Sequence, residues 1–463
     1  MNSGNLTEAL AEFCRRSSYD TLSEDVKSAM KRSVLDTLGC LVAGVASPPG
    51  ILLTRGLNLT EVGAVPVLGS TLRADALVSA LVHGTAAHMD SYDDYMVRAG
   101  GHAGVSVIPA TIGAAVPVTG GKEFLNAVAV GYEVVILLGD KLKRYSYERG
   151  FHATGTHGAV ASGAAAARVR GLGPREFANA IGLAASQASG FRAQFGSMAK
   201  PFQAGHAAMA GVLAASIAEA GFTAADDALG GVAGMIETIV GRDDREGVVD
   251  LLLESTQRVP GSILEESPPT TKLHASCGST ASAVDCALEL RAQLGRATLE
   301  AVERIDITLP TKALRTLVHH RPQTGLQGKY SAEFAVAVGL VFGDAERSRF
   351  TNDVIRDPVV NDLVALSFVE GSKQMQVRRD VNDGALPARV RIVTPTETFE
   401  SEVTHPRGAP GLPLEWSEVV AKFRSNAEPH IGSDKATMVA SAVAKIEDIH
   451  DVRAQIFDHL IPR

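Results

Sequence analysis

From Ser23 to Ala43 the apolar residues Val26, Ala29, Met30, Leu35, Leu38 and Val42 recur at three- and four-residue spacing, which predicts an amphipathic helix. Thr21 or Ser23 stands where an N-cap is needed. Ala/Gly-rich segments with helical spacing follow at roughly 73–90, 104–118, 123–142, 157–170, 175–189, 202–221 and 232–240. No stretch in this region alternates with period two over a useful length, so it reads as all-helical.

The pattern changes at "RVPGSILEESPPTTKLH", where prolines and polar residues at 260–271 mark a boundary. After a helix expected at about 275–295, "AVERIDITLP" alternates from Val302 to Leu309 and predicts a strand. "PARVRIVTPTETFESEVTHPRG" (387–408) alternates on both sides of a central Thr-Pro-Thr and predicts a hairpin. Helices are expected between them near 331–343 and 352–366, and helical patterning resumes from Leu414. The expected fold is therefore mostly α: a large helical domain built from residues 1–267 and 411–463, with an inserted α+β domain at 268–410. A crevice between two such domains is a natural place for a ligand.

Composition narrows the partners. The 463 residues are 45% hydrophobic and 21% charged, ordinary for a globular protein, while aromatics are only 5% and Ala and Gly are plentiful, which suits closely packed helices. A net charge of −8 without a run of Lys or Arg points away from nucleic acid and from an anionic membrane surface. "MNSGNLTEALAEF" lacks the basic segment and apolar core of a signal peptide. "NAVAVGYEVVILLG" is too short to span a bilayer and carries a Glu. Cys14, Cys40, Cys277 and Cys286 contain no CxxC pair, so neither disulfides nor structural zinc are expected, and the sequence reads as cytoplasmic.

Candidate chemistry lies in a few polar insertions. Four segments read as a histidine opening a small-residue helix: "GGHAGVSVIPA" (His102), "GTHGAVASGAAAA" (His157), "GHAAMAGVLAAS" (His206) and "LHASCGSTASA" (His274). Helix N-termini suit anions, and small residues let a ligand approach the backbone; the plain alternative is packing with capping histidines. The cluster Asp90-Ser91-Tyr92-Asp93-Asp94 invites comparison with the Asp-rich helix of terpenoid synthases. The second metal motif of those enzymes has no match in "NDLVALSFVE", so capping or salt-bridged carboxylates are the preferred reading. "LKRYSYERGFHATGTHG" gathers Lys143, Arg144, Tyr145, Tyr147, Arg149, His152 and His157, a mixture able to bind carboxylates and move protons. "FRAQFGSMAKPFQAGHAA" sets Arg192, Lys200 and His206 in one polar insertion, with Lys200 at a helix head where its charge opposes the dipole. "TKLHASCG" offers Lys272, His274 and Cys277; a Cys-His nucleophile has no other support, and Cys277, three residues into a helix, reads as a small buried residue. No phosphate-binding loop and no GxGxxG after a strand are present.

Taken in order, "VKSAMKRSVLDTLGCLVAG", "VHGTAAHMDSYDD", "GHAGVSVIPA", "FHATGTHGAVASGAAAARVRGL", "MAKPFQAGHAAMAGVLAASIAEAGFT", "TKLHASCGSTASAVDCA", "RPQTGLQGKYSAEFAVAVGL", "LPARVRIVT" and "PRGAPGLPLEWSEVVAKF" resemble the MmgE/PrpD family over nearly the whole chain. That family includes 2-methylcitrate dehydratase, cis-aconitate decarboxylase and iminodisuccinate epimerase. The resemblance implies a helical domain formed by both chain ends, a smaller α+β domain, a homodimer, an active site between the domains, and no metal or organic cofactor. It carries the family's site positions onto Asp93, His102, His152 and Lys200. Cys277 stands where the decarboxylase has a histidine, and Leu314 falls near its tyrosine position. "YMVR" follows the Asp pair where the family often has Thr-His or Thr-Trp, and Gln203 stands where histidine is frequent. These departures point away from cis-aconitate decarboxylation and weaken a strict 2-methylcitrate reading.

The family chemistry begins next to a carboxylate, where proton removal builds enolate-like charge and needs a positioned base with cationic or N–H donors. His102, His152, Lys200, Tyr145 and Asp93 are the expected catalytic residues; Arg98, Arg149, Arg192, His274 and Cys277 are expected to bind a small di- or tricarboxylate. If an acid stands behind a β-hydroxyl, water leaves. If a second base faces the opposite side, the centre inverts. Cys277, with the Arg and Tyr residues near 145–149, tilts the reading toward an iminodisuccinate-epimerase-like isomerase, with a 2-methylcitrate-dehydratase-like lyase as alternative. A carboxylate-binding scaffold without turnover would instead have His102 and Lys200 pointing outward or into separate regions.

Overall fold

The computed structural model describes residues 4–294, 296–375 and 386–462. Nine helices lead the chain: α1 (Leu6–Arg16), α2 (Glu24–Val45), α3 (Pro48–Gly56), α4 (Ala76–His88), α5 (Gly104–Ala114), α6 (Gly121–Glu148), α7 (Ala153–Val169), α8 (Pro174–Ala185) and α9 (Ala199–Glu219). Local sequence explains their starts. The Ser23 hydroxyl caps α2 by accepting from the Val26 N–H, Asp75 caps α4 by accepting from Val78, and α3 and α8 begin with proline in the first turn. A short ladder of β1 (Val65–Pro66) and β2 (Arg73–Ala74) precedes α4, in a stretch where sequence patterning predicts no strand.

The helices pack closely because their contact faces are small. α4 lies against α9 and α2, and α7 against α9 and α6. Gly84 and Gly205 face one another where α4 meets α9; a β-carbon on Gly84 would stand 2.8 Å from Gly205 Cα. This contact requires glycine, and it brings the C-terminus of α4 beside the first turn of α9.

After helices Arg242–Thr256 and Ser262–Glu266 the chain forms a four-stranded sheet in the order β4-β3-β5-β6, with β3 Arg304–Pro310, β4 Ser367–Ser372, β5 Ala388–Val393 and β6 Thr398–Val403. β4 runs parallel to β3, and the other pairings are antiparallel. Ile305, Ile307, Val390 and Ile392 face the helices Ala281–Leu294 and Ala332–Phe342, while Arg304, Asp306, Arg389 and Arg391 alternate onto the opposite face. The expected hairpin at 387–408 is β5–β6. The single helix expected at 352–366 is two, Asn352–Ile355 and Pro358–Ala365, because Asp357 caps a new helix that opens on Pro358.

One hydrophobic core draws on residues 6–264 and 414–460; a second draws on residues 275–392 together with Cys40 and Tyr92. Helix Trp416–Ile431 packs against α2, so the last part of the chain lies against the first. Among the described residues no single helix is long and apolar enough to cross a membrane.

The expected pattern of histidine-led helices is corrected. His102 precedes α5 and His152 stands at the N-cap position of α7 without a side-chain capping bond, but His157 and His206 lie inside α7 and α9, and His274 precedes helix Ala281–Leu294 by a loop. Cys277 also precedes that helix rather than sitting within it, and is half-buried.

Candidate active site

The Gly84–Gly205 contact sets the site's first pair. His88 ends α4 one turn beyond Gly84, and Lys200 opens α9 just before Gly205. Lys200 Nζ lies 2.5 Å from His88 Nε2, and both side chains are buried. An ammonium has only donors, so His88 Nε2 accepts and Nδ1 carries the proton, which it gives to Asp93 Oδ1 at 3.0 Å. Burial pushes the His88 imidazole down to about 3, with Lys200 and His102 adding to the fall and Asp93 opposing it. Burial also brings the Lys200 ammonium down to about 7, against the pull of Asp93.

Asp93 belongs to a second histidine as well. His102 Nδ1 is 2.8 Å from the Asp94 carbonyl oxygen and 2.7 Å from Asp93 Oδ2. The carbonyl lies along the N–H direction, while Oδ2 is close but off that line, an ion-pair contact without an aligned hydrogen bond. A carbonyl can only accept, so Nδ1 holds the proton and Nε2 keeps its lone pair. Burial lowers the His102 imidazole although Asp93 opposes it. Burial alone would raise the Asp93 carboxyl, but His88, His102 and Lys272 hold it well below the usual carboxylate range. Asp94 fixes the start of α5, accepting from Tyr132 Oη at 2.5 Å and from the Gly104 N–H at 3.1 Å.

His152 joins the group from the start of α7. Its Nδ1 is 2.7 Å from Gln203 Oε1, and Gln203 turns its Nε2 to the Phe191 carbonyl, so Oε1 accepts and His152 Nε2 is left unprotonated. The ring centroids of His102 and His152 lie 4.5 and 6.1 Å from that of His88. Phe195 packs on His152 at 5.2 Å and on Tyr330 at 5.7 Å, and Lys200 Nζ stands 5.6 Å from one ring and 5.7 Å from the other.

The loop between α4 and α5 is gripped through its carbonyls by lysines from distant parts of the chain. Lys329 donates to Met89 O, Lys272 to Ser91 O and Ser276 O, Lys422 to Tyr92 O, and Lys143 to Val97 O and Arg98 O. Lys329 also pairs with Asp90 at 2.8 Å. Ser91, between these anchors, takes a left-handed backbone (φ 52°), unusual for a residue with a side chain.

Of the residues singled out from sequence, Asp93, His102, His152 and Lys200 come together around His88. The others do not join them. Arg98 pairs with Asp140 at 3.2 Å and Glu266 at 3.3 Å. Arg149 is spent on the Thr238 and Val240 carbonyls. Arg192 stacks 3.4 Å from the centroid of Tyr147 and donates to the Tyr147 and Arg315 carbonyls. Tyr145 packs against the helical core. His274 is bound to Asp285 at 2.7 Å. Cys277 borders the site, its N–H on the Lys329 carbonyl and its Sγ 3.6 Å from Thr316 Oγ1. Sequence reasoning missed His88, the centre of the group; its signal was a histidine five residues before Asp93. Tyr330 and Phe195 were also missed, and no spacing rule points to either.

The acidic cluster follows the salt-bridged reading, with Asp90 on Lys329 and Asp93 between two histidines. His88, Asp93 and His102 bring three potential metal-ligand atoms within 4.8 Å of one another. Both Nδ1 atoms already direct protons at oxygens, and Lys200 takes His88 Nε2. The donor set therefore suits proton handling better than a cation.

The MmgE/PrpD N-terminal domain matches residues 8–247 and the MmgE/PrpD C-terminal domain matches residues 274–448. The chain is 24% identical to the cis-aconitate decarboxylase-like protein oryM of Aspergillus oryzae, over 97% of this chain and 96% of that protein. It is 25% identical to a cis-aconitate decarboxylase of Aspergillus terreus, covering 82% and 83% of the two chains. It is 24% identical to the cis-aconitate decarboxylase of Homo sapiens, covering 96% and 93%.

Proposed function

The chain belongs to the MmgE/PrpD family, and from that premise we propose that it is a lyase that removes the proton next to a carboxylate of a small di- or tricarboxylate and expels a β-hydroxyl as water. The observation that carries this reading is the fixed tautomer of His102: the Asp94 carbonyl keeps the proton on Nδ1, so Nε2 is the base. Abstraction places the α-proton on Nε2, and the imidazolium so formed is stabilised by Asp93 beside Nδ1. Charge gathers on the substrate carboxylate, near the Lys200 and Lys272 ammoniums. As the C–O bond breaks, its electron pair leaves with the oxygen, which takes a proton from Lys200. The electrons of the former C–H bond become the new C=C bond.

Cys277 and Leu314 supply no imidazole or phenol where decarboxylation would call for them, so elimination is preferred to decarboxylation. The Tyr and Arg residues that favour an epimerase in the sequence, Tyr145 and Arg149, are engaged elsewhere. Epimerisation stays a second reading on one observation: His102 and His152 both keep an unprotonated Nε2, and both rings stand beside His88. The meeting of Lys200, His88 and Asp93 argues against a scaffold without turnover. We read the architecture as a helical domain of residues 1–267 and 411–463 around an α+β domain of 268–410, with the site at their seam and, by family resemblance, in a homodimer.

Incubation with a panel of polycarboxylates in heavy water, followed by NMR, tests this. Loss of the α-proton signal with formation of an alkene is expected; exchange with inversion and no alkene would favour the epimerase. No exchange with any member of the panel would overturn both.

A further inference from the structure

Lys422 lies on helix Trp416–Ile431, far in sequence from every residue of the site, and is buried. Its ammonium donates to two main-chain carbonyls and forms an ion pair with one carboxylate. Nζ is 2.5 Å from Asp36 Oδ1 on α2, 2.6 Å from the Tyr92 carbonyl and 2.8 Å from the Lys272 carbonyl. It also stands 4.0 Å from the centroid of the Tyr92 ring. Tyr92 is the residue before Asp93, and Lys272 holds the Ser91 carbonyl with its own ammonium. One ammonium thus joins α2, the helix Trp416–Ile431, the loop that carries Asp93 and the segment that carries Lys272. Burial opposes charge on Lys422, but Asp36 more than reverses this and holds the amine protonated above the ordinary lysine range.

We propose that Lys422, held by Asp36, is a positioning residue for this site, fixing the Tyr92 carbonyl against the Lys272 segment so that Asp93 meets His88 and His102 together. The demand on geometry is high. Asp93 has one oxygen for each imidazole, at 3.0 and 2.7 Å, and a small rotation of the Tyr92–Asp93 peptide would break one contact to keep the other. Ser91, two residues before Asp93, takes a left-handed backbone that surrounding contacts must hold. An ammonium hydrogen-bonded to the Tyr92 and Lys272 carbonyls and paired with the Asp36 carboxylate opposes movement of either carbonyl. The role is distinct from that of Lys200, which touches His88 itself.

The inference rests on the reading that Asp93 and His102 handle the proton, yet its first test needs no substrate. Imidazole nitrogen NMR on histidine-labelled full-length protein reports the Nδ1-protonated form of His102. Two variants are compared, Lys422→Met and the double variant Asp36→Asn/Lys422→Met. The single variant leaves a buried carboxylate unpaired and should melt at lower temperature; the double variant removes both charges and should recover part of that loss. A positioning role predicts that the His102 signal shifts toward a mixture of tautomers in both variants, whatever the melting temperature does. Where the wild type exchanges the α-proton, kcat should fall about tenfold or more in both variants with KM little changed. An unaltered His102 signal in the double variant would overturn the proposal and leave a purely structural ion pair. Absence of exchange in the wild type would overturn the proposed reaction, while the imidazole signals still decide the role of Lys422.

Discussion

The Asp94 carbonyl oxygen accepts the Nδ1 proton of His102 at 2.8 Å, and this contact makes Nε2 the basic nitrogen of the site. His102→Gln removes that base without emptying the space. We expect α-proton exchange to fall by about 10²–10⁴-fold, the usual contribution of a positioned base. The melting temperature should change little, because the side chain is partly solvent-accessible. Exchange at the wild-type rate would remove His102 from the reaction.

Lys200 should set the alkaline limb of activity. Its amine is brought down to about 7, so the protonated form that donates to the leaving oxygen is lost as pH rises through that value. The kcat/KM profile is expected to fall above about pH 7. Lys200→Arg, which stays charged, should lose this limb even if the maximum rate is poor. A profile with the same limb in the arginine variant would assign it elsewhere.

The same lowered amine implies a stability cost with a defined sign. Below about pH 7 the folded and unfolded states both carry the Lys200 charge, and the folded state bears the full penalty of burying it. From there to the unfolded lysine value the unfolded state binds more protons, so stability rises with pH. Lys200→Met should therefore be more stable than the wild type at neutral pH, by up to about 4 kcal/mol, with the gap closing near pH 10. Denaturant titrations at several pH values measure it.

Asp93→Asn should be more harmful than its small change in volume suggests. The amide keeps one oxygen for the His88 N–H but removes the negative charge beside both imidazoles, and its NH₂ stands against a ring N–H. We expect a loss of about 10²-fold or more in turnover. Retained turnover would show that Asp93 only packs.

Arg98→Ala tests the opposite expectation. Since Arg98 is committed to Asp140 and Glu266, KM for an active polycarboxylate should stay within about twofold, and stability should drop by about 0.5–1 kcal/mol. A large rise in KM would return Arg98 to the substrate.

The sequence carried the local elements well where signals were local. Ser23 announced the start of α2, and Thr-Pro-Thr announced the β5–β6 turn. It hid β4, because "NDLVALSFVE" reads as one continuing helix until Ser367 pairs with Ile305 of β3, a parallel partner sixty residues away that no local pattern reveals. Resemblance found Asp93, His102, His152 and Lys200. The central His88 was invisible by periodicity, since it ends an apolar helix where a buried histidine usually does no more than fill space. The arginines misled because charge alone cannot say whether a guanidinium already has a partner. Arg98 does, with Asp140 forty-two residues on.

The lysines that grip residues 89–98 hold main-chain oxygens, and main-chain oxygens are identical at every position. Substitutions at Val97 or Arg98 therefore leave the Lys143 acceptors unchanged. The loop's path is set by the surrounding helices, although its own side chains from Ser91 to Met96 are buried. Such an arrangement holds the backbone that carries Asp93 independently of the side chains at Val97 and Arg98, the half-buried end of "YMVR".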